Sequence, residues 1–108
     1  MKIPFNVNLT GKTAIVTGGS GTLCSAMAYG LAVSGAKTAI IGRNKANMEK
    51  VVNELTSNAL KEHNAAVTIK GYCSDVTDKE ELTKTYEAIK AELGSCDILI
   101  NGAGGNQP

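Results

Sequence analysis

Apolar and polar positions alternate along this chain on two periods. Thr13-Ala14-Ile15-Val16-Thr17 is a β-rich run halted at Gly18-Gly19, and it predicts a buried strand. Leu23, Met27, Leu31 and Ser34 then recur at helical spacing, which predicts a helix closing at Gly35. Lys37 to Ile41 predicts a second buried strand, stopped by Gly42. Met48, Val51, Val52, Leu55 and Ala59 form one stripe of a second helix running roughly from Asn44 to His63. Ala66 to Tyr72 predicts a third strand. Thr77-Asp78-Lys79-Glu80 has the capping-box pattern, so a third helix is expected to start there. Its buried face carries Leu82, Tyr86, Ile89 and Leu93, and Gly94 closes it. Asp97-Ile98-Leu99-Ile100 predicts a fourth strand, followed by the loop Asn101-Gly102-Ala103-Gly104-Gly105.

The resulting order is β-α-β-α-β-α-β, and its crossovers are long enough only for parallel strands. Right-handed crossovers and continuously apolar strands imply an α/β, doubly wound parallel sheet of the Rossmann type. Its four strands are expected in the order 3-2-1-4, with helices on both faces. The fourth strand is apolar and is expected at an edge, where a long hydrophobic strand is normally paired or covered. The expectation is therefore that residues 1–108 are the first part of a larger nucleotide-binding fold, incomplete at the strand-4 edge.

Composition narrows the function classes. The length of 108 residues allows one domain, and 43% hydrophobic with 19% charged residues is the composition of a globular protein. A net charge of +1 gives no support to generic nucleic-acid or anionic-membrane binding. The apolar runs are strand-sized, which argues against a transmembrane helix. Met1-Lys2-Ile3-Pro4-Phe5-Asn6 reaches polar residues too soon for a secretory signal, so the expected location is cytoplasmic. Cys24, Cys73 and Cys96 are widely spaced, lack a Cys-x-x-Cys pair and have only His63 as a histidine companion. Reduced cysteines and no zinc site are expected from that pattern.

The candidate chemistry lies where the first strand runs into Thr17-Gly18-Gly19-Ser20-Gly21-Thr22-Leu23-Cys24 and so into the first helix. Phosphate needs backbone N–H groups aimed at it and no Cβ in the way. Glycines at a strand-to-helix turn supply both, and the helix dipole favours the anion. Inside a βαβ unit this placement points to a dinucleotide pyrophosphate, with a purely structural glycine turn as the alternative.

Leu9-Thr10-Gly11-Lys12-Thr13-Ala14-Ile15-Val16-Thr17-Gly18 resembles the first strand of the short-chain dehydrogenase/reductase family, and the likeness extends over essentially the whole chain. Thr17 and Gly18 match the start of that family's Thr-Gly-x-x-x-Gly-x-Gly motif. Its second glycine falls on Thr22 and its third on Cys24, while Gly19 and Gly21 restore part of the glycine content. Cys73-Ser74-Asp75-Val76 matches the family's Asp plus apolar residue, where the carboxylate typically accepts from the adenine amino group. Asn101-Gly102-Ala103-Gly104 resembles its Asn-Asn-Ala-Gly, with Gly102 in place of the second Asn. That second Asn helps tie the central strands together. The resemblance implies an NAD(P)-dependent oxidoreductase, commonly a homo-oligomer of two or four chains, acting on a small-molecule substrate.

The acidic residue that normally follows the second strand, binds the ribose hydroxyls and repels a 2′-phosphate is here Gly42, followed by Arg43 and Asn44. A guanidinium can hold phosphate bidentately, so NADP(H) is expected over NAD(H). Two other patterns mislead. Tyr86-x-x-x-Lys90, with Ser74 upstream, copies the family's catalytic motif but precedes Asn101 instead of following it, and Tyr86 lies on the apolar stripe. No catalytic Ser, Tyr or Lys is therefore assigned within residues 1–108. Gly11-Lys12-Thr13 copies the end of a Walker loop but precedes a strand. His63, amid Lys61, Glu62 and Asn64, is expected to face solvent.

Within the family, the glycine turn and the Asn101–Pro108 segment look most like enzymes acting on sugar acids, of the mannonate/fructuronate oxidoreductase type. Gly105-Asn106 also resembles dienoyl-CoA reductases. A non-enzymatic dinucleotide-binding module is the competing class.

Overall fold

The computed structural model of the protein describes residues 8–18 and 22–102. The elements are β1 (Thr13–Thr17), α1 (Thr22–Val33), β2 (Lys37–Gly42), α2 (Lys45–His63), β3 (Ile69–Cys73), α3 (Lys79–Leu93) and β4 (Ile98–Asn101). All the strands are parallel and lie in the order β3-β2-β1-β4. The fold is the expected doubly wound sheet.

Side-chain alternation divides the core in two, because successive residues of a strand point to opposite faces. Val16 and Ile40 join Ala28, Ala32 and Met48 on the face covered by α1 and α2. Ile15, Ala39 and Ile41 join Ile89 and Leu93 of α3 on the other. β1 is buried along its whole length, which is why it reads as a continuous apolar run. β4 is an edge strand and leaves Leu99 55% exposed.

Some expectations are corrected. The third strand begins at Ile69, not Ala66. β2 starts at Lys37 and its Thr38 pairs with Ile69, so residues 66–67 have no partner strand to lie along. The fourth strand starts at Ile98, because Asp97 acts as a clamp instead. Its N–H donates to Thr13 O at 2.8 Å and its carboxylate accepts from Thr13 N at 2.9 Å. In α1 the expected stripe holds at Leu31, but its first two members are displaced by one residue. Cys24, Ala28, Leu31 and Ala32 pack inward, whereas Leu23 and Met27 are 72% and 39% exposed. Small side chains let the helix lie close to the sheet, and the larger apolar residues are turned outward. His63 is half-buried rather than solvent-facing, its ring 5.9 Å from that of Tyr29. Tyr29 is itself buried between α1 and α2 and donates to Glu62. Burial, followed by that hydrogen bond, pushes its pKa up to about 12.

The third helix is capped one residue later than the capping-box pattern suggests. Asp78, not Thr77, accepts from the backbone N–H groups of Glu80 and Glu81. Thr77 is instead held by Asp75, as described below. Asp78→Ala is expected to cost about 0.5–2 kcal/mol of stability. Denaturant unfolding of the variant against the parent measures it, and an unchanged midpoint would show that the cap contributes nothing. α2 is capped by Asn44, whose side chain accepts from Asn47 N, and ends on Asn64 in the left-handed conformation.

Candidate cofactor-binding site

Parallel strands bring their carboxyl ends to one edge, and most of the described candidate residues lie just there. Thr17 pairs with Ile41 on one side and Asn101 on the other, and Gly42 pairs with Cys73. Backbone hydrogen bonds then carry the chain out of the sheet. Gly18 N donates to Ile41 O at 2.8 Å, Ser74 N to Gly42 O at 2.8 Å, and Gly102 N to Thr17 O at 3.1 Å. The strand order reverses at β1, with β2 and β3 laid down on one side of it and β4 on the other, and the crevice outside such a switch point is where open α/β sheets bind ligands.

On the β1 side, Gly18 adopts φ 74°, a left-handed conformation that favours glycine. The turn leads to Thr22, the first residue of α1. Gly19, Ser20, Gly21, the side chain of Thr22, Ala103 and Gly104 lie outside the described residues. Leu23 points outward at the start of α1. Across the β1–β4 seam, Thr17 Oγ1 donates to Asn101 Oδ1 at 2.8 Å, tying the ends of β1 and β4 together.

The β2 and β3 ends form a second group. Arg43 and Asn44 are exposed, and Cys73 Sγ donates to Arg43 O at 3.1 Å. Asp75 Oδ1 accepts from both N and Oγ1 of Thr77, at 2.9 and 2.7 Å, while Asp75 N donates to Glu81 Oε1 at 3.1 Å. These bonds from Thr77, helped by the nearby Arg43 charge, hold the Asp75 carboxyl below its usual range, so it is an ionised acceptor at neutral pH. Val76 is half-buried and packs against the cluster containing Ile41 and Ile89.

Three features here escape sequence reasoning. Gly42 is buried, and a Cβ on it would lie 2.6 Å from Met48 Sδ. Ser74 is 1% exposed, and its hydroxyl has no hydrogen-bond partner among the described residues. Gly102 faces Cys24 at close quarters. Neither pattern nor spacing signals any of these, because each depends on how separate elements pack against one another. Tyr86 is half-buried against the α3 core cluster, consistent with its reading as a packing residue. No helix among the described residues is long and apolar enough to cross a membrane.

The family model described as short chain dehydrogenase matches residues 12–108. The chain belongs to the short-chain dehydrogenase family. Among relatives of this family, the chain is 46% identical over 106 residues to UxuB of Bacillus subtilis, an uncharacterized oxidoreductase. That match takes in 98% of this chain and 36% of the relative. A solved structure of a proposed D-mannonate oxidoreductase from Haemophilus influenzae, with bound NAD, superposes with TM-score 0.75 at 35% identity. The superposition covers 95% of this chain and 34% of that one. L-Sorbose reductase from Gluconobacter frateurii, complexed with NADPH and L-sorbose, gives TM-score 0.75 at 25% identity, over 95% of this chain and 37% of that one. The chain thus spans about a third of the length of these short-chain dehydrogenases.

Proposed function

We propose that residues 1–108 form the cofactor-binding part of an NAD(P)-dependent short-chain oxidoreductase whose whole protein acts on a sugar acid of the mannonate/fructuronate type. In this reading the turn from Thr17 through Leu23 faces the pyrophosphate, Asp75 and Val76 receive the adenine, and Arg43 and Asn44 receive the adenosine ribose end. Asn101, Gly102, Ala103 and Gly104 border the nicotinamide side. The preferred cofactor is NADP(H). The observation that carries this choice is the pairing of a buried glycine at 42 with an exposed guanidinium at 43. The carboxylate that would repel a 2′-phosphate is replaced by a cation able to grip it.

The donor set suits such a ligand. A positive side chain for phosphate stands beside an ionised carboxylate for an amino group, and a left-handed glycine opens the turn into α1. When bound, the nicotinamide carries the hydride. The residues of this chain bind and orient; the proton transfer of the whole enzyme is assigned to a Ser/Tyr/Lys set outside residues 1–108. The sugar-acid class draws on the likeness to the proposed D-mannonate oxidoreductase, and a second neighbour, the L-sorbose reductase, is complexed with a sugar. Assembly into a homo-oligomer belongs to the same proposal.

Fluorescence titration of residues 1–108 with NADPH and NADH, and turnover of D-mannonate and D-fructuronate by the whole protein that contains them, test the reading. The expected outcome is tighter NADPH binding and turnover of one of the two acids. The bound NAD of the Haemophilus relative makes the comparison pointed, since a preference for NADH would overturn the cofactor assignment. Binding without turnover of any sugar acid would overturn the substrate class.

A further inference from the structure

Two departures from the family motifs, separated by 78 positions in sequence, meet in space. Cys24 stands where the motif has its last glycine, and Gly102 where the Asn-Asn-Ala-Gly segment has its second asparagine. Cys24 lies in the first turn of α1 and packs inward against the core. Gly102 follows β4 directly and is held to β1 by its N–H bond to Thr17 O. A Cβ built on Gly102 would fall inside the van der Waals envelope of Cys24 Sγ, and would also lie 3.0 Å from Thr17 O and 3.8 Å from Cys24 Cβ. The thiol therefore occupies the volume that any side chain at 102 would need. Sulfur is no minor obstacle there, since close-packed interiors resist even a methylene of excess volume.

We infer that Cys24 and Gly102 are a compensating pair of positioning residues that sets the spacing between the first turn of α1 and the end of β4. The bulk removed from β4 is restored from the helix, so the seam tied by Thr17 and Asn101 stays filled. Gly102 can accept the family's asparagine only if Cys24 gives way, while a glycine at 24 alone would leave the seam underfilled. This inference deepens the proposed function, on which its ligand readout rests: α1 and β4 are the two walls of the switch-point crevice. The pair stands at the β1–β4 seam, whereas Arg43 and Asp75 stand at the ends of β2 and β3.

The test is a double-mutant cycle in the full chain with Gly102→Asn, Cys24→Gly and the combination, each read by thermal midpoint and by ligand titration. The expected result is strong non-additivity. Gly102→Asn alone lowers the midpoint and weakens NADPH binding about tenfold, and adding Cys24→Gly brings both most of the way back, to within about threefold in affinity. Binding of adenosine 2′-monophosphate, which lacks the 5′-phosphate and so reaches only the β2 and β3 ends, stays unchanged in every variant that folds; a general loosening of the fold would weaken it as well. If Gly102→Asn does not fold, Gly102→Ala replaces it in both arms, and recovery of folding in the double variant counts in favour. Additive midpoints overturn the pairing, and they do so without any ligand. Coupled midpoints with additive losses in NADPH affinity overturn the positioning role. A parent protein that binds neither NADPH nor NADH overturns the proposed function instead, with the midpoint cycle still deciding the packing pair.

Discussion

Arg43→Ala is expected to weaken NADPH binding about 10–100-fold while leaving NADH within about twofold, as the loss of a charge-assisted pair with phosphate would do. The residue is exposed, so its removal leaves no cavity and no buried partner behind. Its backbone is held independently of its side chain, through Cys73 Sγ on its carbonyl and through the Asn44 cap that starts α2. The variant should therefore fold as the parent does, and the effect should appear in the ligand alone. Arg43→Lys should recover only part of the affinity, because an ammonium offers a point charge where the guanidinium offers two parallel donors. Paired titrations with both dinucleotides over a salt series measure this. Equal losses for NADPH and NADH would show that Arg43 does not touch the 2′-phosphate.

Gly42→Asp is the natural attempt to reverse that preference, and it is expected to destabilise the protein by about 1–3 kcal/mol through overpacking. The new Cβ would come within 2.6 Å of Met48 Sδ, and Met48 is only 2% exposed, with Val52 and Gly71 among its surroundings. The thioether has to turn aside, toward the cleft that Met48 lines with Val52 and Gly71, which puts the expected cost at the low end of that range. Met48→Ala alone is expected to cost about 2–5 kcal/mol as a cavity, and distinctly less in the Gly42→Asp background, where the same space is contested. Denaturant unfolding of the four proteins closes the cycle. Strict additivity would mean that the aspartate avoids Met48 altogether. On this account packing against Met48 by itself disfavours an acid at position 42.

The parts of the molecule that were legible beforehand are those buried on both faces. β1 and β2 announce themselves because parallel strands covered by helices must be apolar throughout, and the intervening helices had no other way to be connected. β3 was harder to bound. It is an edge strand with Lys70, Gly71 and Cys73 exposed, so its limits come from how far β2 extends and not from its own pattern. The first half of the α1 stripe was misplaced by one residue for a related reason. Periodicity ranks side chains by hydrophobicity, whereas contact with the sheet selected the small residues Ala28 and Ala32 over Leu23 and Met27. The shift of the α3 cap from Thr77 to Asp78 followed from a competing bond, since Asp75 had already engaged Thr77.

The chain by itself determined the class of fold, the order of its elements and the ends of the strands on which cofactor chemistry would lie. These are properties of local sequence, carried by apolar period, glycine punctuation and short motifs within a few residues of one another. Only the tertiary structure decided that Met48 fills the space beside Gly42 and that Cys24 fills the space beside Gly102. It likewise decided that Thr17 is bonded to Asn101 across the seam. Such pairings join residues up to 84 positions apart, and volume exclusion and hydrogen-bond geometry act on distance in space, to which position along the chain is blind.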